Sequence, residues 1–321
     1  MAASRRSNLE LNNRAAKLCD TMVEAAADLR IEVANVGATR IIDCGVNTTG
    51  GLEVGRRMAR ISLAGMGDVS FAVHPLTGGP AVMVRTDAPV AACMASQYAG
   101  WEVKGDDFFA MGSGPMRSAY GGEELFDEIG CREHTDVAVG LLESGEMPPQ
   151  QVCDDIALKC GASPENLTLL VAPTNCQAGN VQVVARSVET ALHKLHELSF
   201  DLHRVESGWG IAPLPPVAGD ALTGIGRTND AILYGGHVVL YVRGEDAHIE
   251  EVGPKTPSSA SSDHGRPFRD IFSAYDHEFY KIDKHLFSPA IVEFVNLDTG
   301  RSWRFGEYVA EVLEKSFEVS R

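Results

Sequence analysis

Positive charge is scarce in this chain. Only 28 lysines and arginines stand against 44 aspartates and glutamates, a formal net charge of −16. That excludes nucleic acid as the main partner, because neutralising phosphates takes a basic face. Long apolar runs are missing as well. None approaches the ~20 residues that span a bilayer, so no membrane partner is expected. The opening stretch MAASRRSNLE carries two arginines with no apolar core behind them, which reads as neither signal peptide nor anchor. The seven cysteines are scattered, odd in number and without a CxxC. They read as reduced, small buried residues of a cytoplasmic protein, with no disulfide frame and no structural zinc site. No solenoid-length repeat, no G-x-S-x-G nucleophile elbow and no HExxH metal motif is present.

What is present is an ordinary globular balance, 44% apolar and 22% charged over 321 residues, enough for one large domain or two smaller ones. Apolar residues recur at helical spacing from Leu9 to Leu29. A hairpin follows, with strands 31–33 and 39–42 around Gly37. Helices are predicted over 52–63, 89–98, 148–160 and 307–317, and strands over 69–73, 81–86, 137–143, 167–172, 290–296 and 302–304. The segment 181–198 has the clearest helical stripe, Val181, Val184, Ala185, Val188, Leu192 and Leu195. The glycine- and proline-rich stretch 208–219 reads as a loop or linker. Gly235 and Gly236, between apolar runs 231–234 and 237–242, give the strongest hairpin signal. Interleaved helices and strands with frequent hairpins predict an α/β fold of α+β character with mixed sheets. A two-domain division is expected at 1–205 and 206–321.

Candidate chemistry sits on a few polar segments. On the 181–198 helix, Gln182, Arg186, Glu189 and His193 fall opposite the apolar stripe. Arg186 and Glu189 are three apart and therefore neighbours, which spacing alone reads as a solvated ion pair of about 0.2–0.5 kcal/mol. If that face lines a cleft, Glu189 can serve as a base. The loop holding Ser113 and Gly114 before Pro115 is a weak dinucleotide signal, since Arg117 replaces the third glycine. It reads equally as a tight turn or as a helix entry whose free N–H groups hold an anion. Thr174, Asn175 and Gln177 can read the donor and acceptor edge of a heterocycle. Arg227 suits a phosphate or carboxylate, Asn229 and Asp230 suit amide and amino groups, and the alternative is an Asx turn. Lys281 lies in an amphipathic segment with an anion contact as the lesser reading. Cys176 as a nucleophile, or His264 beside Asp263, would define a different hydrolase.

The ordered set of segments goes further than any one motif. Residues 42–47 (IDCGVN), 96–101 (SQYAGW), 109–115 (FAMGSGP), 172–174 (APT), 182–189 (QVVARSVE), 226–231 (GRTNDA), 234–236 (YGG), 279–283 (FYKID) and 287–289 (FSP) occur in one order. In this the chain resembles the methenyl-tetrahydromethanopterin cyclohydrolases over about residues 9–305. The resemblance implies a two-domain α/β subunit with a pterin cleft between the domains, commonly a homotrimer. It implies reversible hydrolysis of the 5,10-methenyl pterin to the 5-formyl form with no metal or prosthetic group. The family's paired Arg and Glu carry over onto Arg186 and Glu189. The chemistry of the surrounding segments adds Ser96, Gln97, Ser113, Gly114, Thr174, Gln182, Arg227, Asn229, Asp230 and Lys281 as substrate-binding candidates. A positive Arg186 beside Glu189 is expected to lower its pKa and weaken it as a base. A pterin- or nucleotide-binding protein without catalysis is the other reading.

Overall fold

A computed structural model describes residues 9–318 of the chain. In chain order the first half runs α1 (Leu11–Glu24), α2 (Ala26–Leu29), β1 (Glu32–Val36), β2 (Thr39–Asp43), α3 (Leu52–Ser62), β3 (Gly67–Val73), β4 (Pro80–Thr86), a π-helix (Val90–Gln97), β5 (Trp101–Lys104), β6 (Phe109–Ser113), α4 (Met116–Tyr120), α5 (Leu125–Ile129) and β7 (Ala138–Glu143). The second half runs α6 (Gln150–Cys160), β8 (Leu167–Ala172), α7 (Gln177–Val184), α8 (Ser187–Glu197), β9 (Val205–Pro213), α9 (Ala221–Gly235), β10 (His237–Val242), α10 (Asp246–Val252), α11 (Phe268–Ala274), β11 (Ile291–Asn296), β12 (Ser302–Gly306) and α12 (Ala310–Phe317).

The strands form two mixed six-stranded sheets, ordered β1-β2-β8-β7-β6-β5 and β12-β11-β10-β9-β4-β3. In the first, β2, β8 and β7 are parallel and the flanking pairs antiparallel. Every residue of β8 is buried, as expected of a parallel strand covered on both faces. Alternation distributes its side chains. Ile41, Leu167 and Leu169 pack against Val152, Ile156 and Cys160 of α6, while Ile42 and Leu170 pack against Cys19 and Met22 of α1 and Met58 of α3.

The second sheet is covered on one face by α8 and α9, whose Val188, Leu192, Leu195 and Ile232 join Val82, Val84, Val238, Leu240 and Phe294 in one core. Its β10 alternates half-buried and buried residues, the pattern of a sheet with one open face. The sheet takes β3 and β4 from residues 67–86 and its other strands from beyond residue 204, so a cut at 205/206 runs through its composition.

Three sequence-based expectations are corrected. The stretch 208–219 is not all linker, because β9 occupies it to Pro213 at the centre of the second sheet. Its glycines admit α8 at close range: a Cβ on Gly208 would lie 2.6 Å from Val188 Cγ1, and one on Gly210 2.5 Å from Ser187 Oγ. The apolar run 231–234 is the end of helix α9, and Gly235-Gly236 is its exit, not a hairpin turn. β10 pairs with β9 and β11. Asp220 caps α9, its carboxylate accepting from Thr223 N at 2.8 Å. Finally, 181–198 is two helices with a break at Ala185–Arg186.

The segment leading into that break is tightly seated. A Cβ on Gly179, in the first turn of α7, would stand 2.0 Å from the carbonyl oxygen of Pro173 and 2.8 Å from its carbon, both backbone atoms. Gly179→Ala is therefore expected to cost about 1–3 kcal/mol or more by overpacking. The check is the urea midpoint, which falls at an unchanged m-value.

Candidate active site

The break between α7 and α8 is imposed from outside the segment. The π-helix 90–97 widens one turn, Tyr98 N bonding to Cys93 O at 2.8 Å, and such turns recur at functional sites. Its Gln97 sends Nε2 to the Ala185 carbonyl at 3.2 Å. That carbonyl would otherwise serve the helix ladder, and an inserted side chain is a standard cause of a helix break. Arg186 N turns to Val183 O and Thr190 N picks up Arg186 O, so α8 restarts at once.

The break places Arg186 and Glu189 inside the molecule. They are only 7% and 5% exposed, so they form no solvated face. The expected Arg186–Glu189 pair is not the one formed. Arg186 Nη2 pairs with Glu143 at the C-terminal end of β7. The same nitrogen donates to Ser113 Oγ at 3.2 Å and to Gln182 Oε1 at 3.1 Å. Gly114 N donates to Ser96 O at 2.8 Å, and Ser96 Oγ to Ser62 O at 2.5 Å, tying the 113–114 turn to the π-helix. The N–H of Gly114, which takes a φ of +92°, is thereby spent on protein. Ser96, Gln97, Ser113, Gly114, Gln182, Arg186 and Glu189 are thus joined in one region.

Burial decides the protonation of Glu189. Removal from water pushes its carboxyl up to about 7, Arg186 and Arg117 pull it down, and Glu143 adds to the rise. The expected depression by Arg186 is real but smaller than the desolvation. Arg117 is fully buried, bidentate to Glu123 at 2.8 and 2.6 Å, and bonded to Met94 O at 2.8 Å. Its guanidinium lies 4.8 Å from the Tyr98 ring centre, and Tyr98 stacks on His193 at 4.8 Å. Burial holds the His193 imidazole down at about 4, neutral at ordinary pH. Buried polar atoms without a hydrogen-bond partner gather at the junction: Gln97 Oε1, Arg186 Nε, Ser187 Oγ and Glu143 Oε1, the last held by its ion pair with Arg186. Such orphans are uncommon in folded proteins, where buried polar groups pair with protein or ordered water.

The remaining candidates make other contacts. Arg227 binds Ser316 O, Pro216 O and Glu318, anchoring the C-terminal helix. Asn229 bonds to Ile225 O in its own helix, and Asp230 accepts from Phe268 N at 2.8 Å, its carboxyl pushed up to about 7 by burial. Lys281 is exposed and paired with Glu278. Thr174 sits between β8 and α7. Among the described residues, no hydrogen bond or ion pair joins these five to the Arg186–Glu189 cluster. Two charged neighbours went unread in the sequence as site residues, Glu143 and Arg117. Glu143 could have been found, being a carboxylate that ends a buried strand at the carboxyl edge of a parallel pair, where ligands of α/β sheets bind.

The nucleophile alternatives lack their geometry. Cys176 Sγ caps α7, accepting from Gly179 N at 3.3 Å, and burial raises its thiol. A reactive cysteine needs the opposite shift. Asp263 binds Arg266, Tyr275 and Asp283 N rather than His264, whose ring packs on Tyr234. Among the described residues, no three His, Cys, Asp or Glu are grouped as a metal site, and no helix is long and apolar enough to cross a membrane.

Comparison with known proteins gives the same direction. The chain is 45% identical over 317 residues to a methenyltetrahydromethanopterin cyclohydrolase of Rhodopirellula baltica, covering 96% of this chain and 95% of the relative. A protein of that name from Methylobacillus flagellatus is 46% identical, covering 93% and 92%. One from Methanothermobacter marburgensis is 40% identical, covering 96% and 99%. With the Cyclohydrolase (MCH) family pattern matching residues 10–317, the chain belongs to that family of enzymes.

Proposed function

We propose that the chain catalyses the reversible hydrolysis of 5,10-methenyltetrahydromethanopterin to 5-formyltetrahydromethanopterin, with Glu189 as the base. The observation that carries this reading is a buried carboxyl poised at about 7, next to an arginine whose charge is engaged elsewhere. A base matched to the working pH is the most effective one. The substrate's N–CH–N carbon is already a cationic electrophile, so the proposed reaction calls on no cofactor. Water attacks that carbon and gives a proton to Glu189, leaving a neutral carbinolamine. The C–N10 bond then breaks. Glu189 returns the proton to N10 and takes the hydroxyl proton as the formyl C=O forms. Its release to solvent balances the loss of the substrate's positive charge. Arg186, positive and with a buried unpartnered Nε, disfavours the cationic substrate relative to the neutral product and offers a donor to the forming oxygen.

The test is the loss of methenyl-pterin absorbance with purified protein. In the hydrolytic direction only ionised Glu189 works, so the rate is expected to rise with pH through a midpoint near 7 and then level off. Retention of the pterin with no turnover would favour a binding protein instead. Sensitivity to thiol alkylation with indifference to Glu189 would favour Cys176. The same reading carries a cytoplasmic, homotrimeric enzyme, and sedimentation of a monomer would remove the trimer.

A further inference from the structure

We propose that Glu143 is a positioning residue: by holding the Arg186 guanidinium at the end of β7, it keeps that charge off the Glu189 carboxylate. The inference rests on the proposed role of Glu189 and adds what sets it. Arg186 lies at a helix break, and three groups contact its Nη2: Glu143 as an ion pair, and Ser113 Oγ and Gln182 Oε1 as hydrogen-bond acceptors. Only Glu143 is charged. Glu189 stands three residues on in the same helix start, where an (i, i+3) pair with Arg186 would form unless a better partner took the arginine. The charged and titratable groups that face Glu189 are Arg186 from the junction, Arg117 from α4, Glu143 from β7 and Cys93 from the π-helix. Arg117 is locked by its two bonds to Glu123, and the Cys93 thiol is raised by burial and stays neutral. Arg186 is therefore the one positive charge whose hold on Glu189 can change. With Glu143 in place the site contains two carboxylates with divided work, one paired to arginine and one free to exchange a proton, the arrangement by which neighbouring acids take separate roles.

The experiment compares wild type, Glu143→Gln and Glu143→Asp by two readouts. One is the pH dependence of kcat/KM for methenyl-pterin hydrolysis. The other is the pH titration of the Glu189 carboxyl infrared band, identified by its loss in Glu189→Gln. With Glu143 neutralised, its own negative charge no longer raises Glu189 and Arg186 is released to it, so both midpoints are expected to move to lower pH by about one unit, the low end for a carboxylate gaining a close opposite charge. Aspartate keeps the charge but falls one methylene short, and is expected to give a smaller move in the same direction. If Glu143→Gln shows no cooperative melt, the direction of the aspartate variant decides. Midpoints that stay at the wild-type value in a folded variant, with kcat merely lowered at every pH, would overturn the proposal in favour of a structural role. Absence of hydrolysis by the wild type would remove the reading beneath it, while the infrared titration would still decide what Glu143 does to Glu189.

Discussion

Purified Glu189→Gln protein is expected to hydrolyse the methenyl pterin about 10²–10⁴-fold more slowly than wild type, the usual contribution of a positioned base. Glutamine keeps the shape and one acceptor oxygen but cannot take a proton. The loss should fall on kcat, since substrate contacts are retained, and the rise in rate with pH should vanish from the residual activity. Full activity in this variant would end the assignment. The same substitution should stabilise the fold above neutral pH. An unfolded glutamate loses its proton near 4.5, whereas folded Glu189 keeps it to about 7. Between those values the folded state holds more protons, so raising the pH lowers stability. The loss is complete above the folded value, with an upper bound of about 3 kcal/mol at 1.36 kcal/mol per unit. Glutamine has no such loss. The two proteins should therefore melt alike near pH 4 and diverge, with the variant higher, near pH 8. A variant that is no more stable at pH 8 would mean that Glu189 is not held in the uncharged form.

Arg117→Ala is expected to be the most damaging single change to the fold in this region. It removes a fully buried guanidinium from Glu123, whose side chain is 19% exposed, and from the Met94 carbonyl. Breaking a buried pair from one side leaves an uncompensated charge and costs about 3–5 kcal/mol. Stacking on Tyr98 and Phe126 is lost with it. The urea midpoint should fall accordingly, and the paired change Arg117→Met with Glu123→Gln should cost less than Arg117→Ala alone. What activity survives should show a midpoint moved to higher pH, because Arg117 pulls Glu189 down. This is opposite in sign to the change expected for Glu143→Gln. A double variant that is as unstable as the single one would show that packing, not charge, is what Arg117 supplies.

Much of the architecture follows from local patterns. The amphipathic stripe of α1, the hairpin of β1 and β2 around Gly37, the continuous apolar run of β8 and the Asp-Thr-Gly turn before β12 all lie where periodicity and turn chemistry put them. The departures have long-range causes. Nothing between Gln182 and Glu189 disfavours a continuous helix, and the break depends on Gln97, 88 residues away in sequence. The run Ala231 to Tyr234 reads as a strand by its β-formers, yet it finishes a helix whose Gly224 sits against the backbone of Asn175 and whose Gly226 sits against Arg269. The glycines that made β9 look like a linker serve the packing of Ser187 and Val188. At the site, Ser113 and Gln182 contact Arg186, and Ser96 ties to the same turn through Gly114. Arg227 braces α9 against α12 and Asp230 braces it against α11, while Asn229 bonds back within α9, contacts that local chemistry cannot tell apart from ligand recognition.

The composition of the second sheet has a consequence for how the chain is made. The β3–β4 hairpin is complete at Thr86, but its only other neighbour is β9, with Ala81 facing Pro213. At a synthesis rate of about 5–20 residues per second, the ribosome takes roughly 6–25 seconds to supply that partner. Through that interval Val69, Val82 and Val84 lack the central strands that complete their core, and α8 is made only near its end. The edge of β4 is open for the same time, a template for pairing with another nascent chain. Yield in the cell should therefore depend on chaperone supply and translation speed across residues 87–213 more than on the melting temperature of the finished protein.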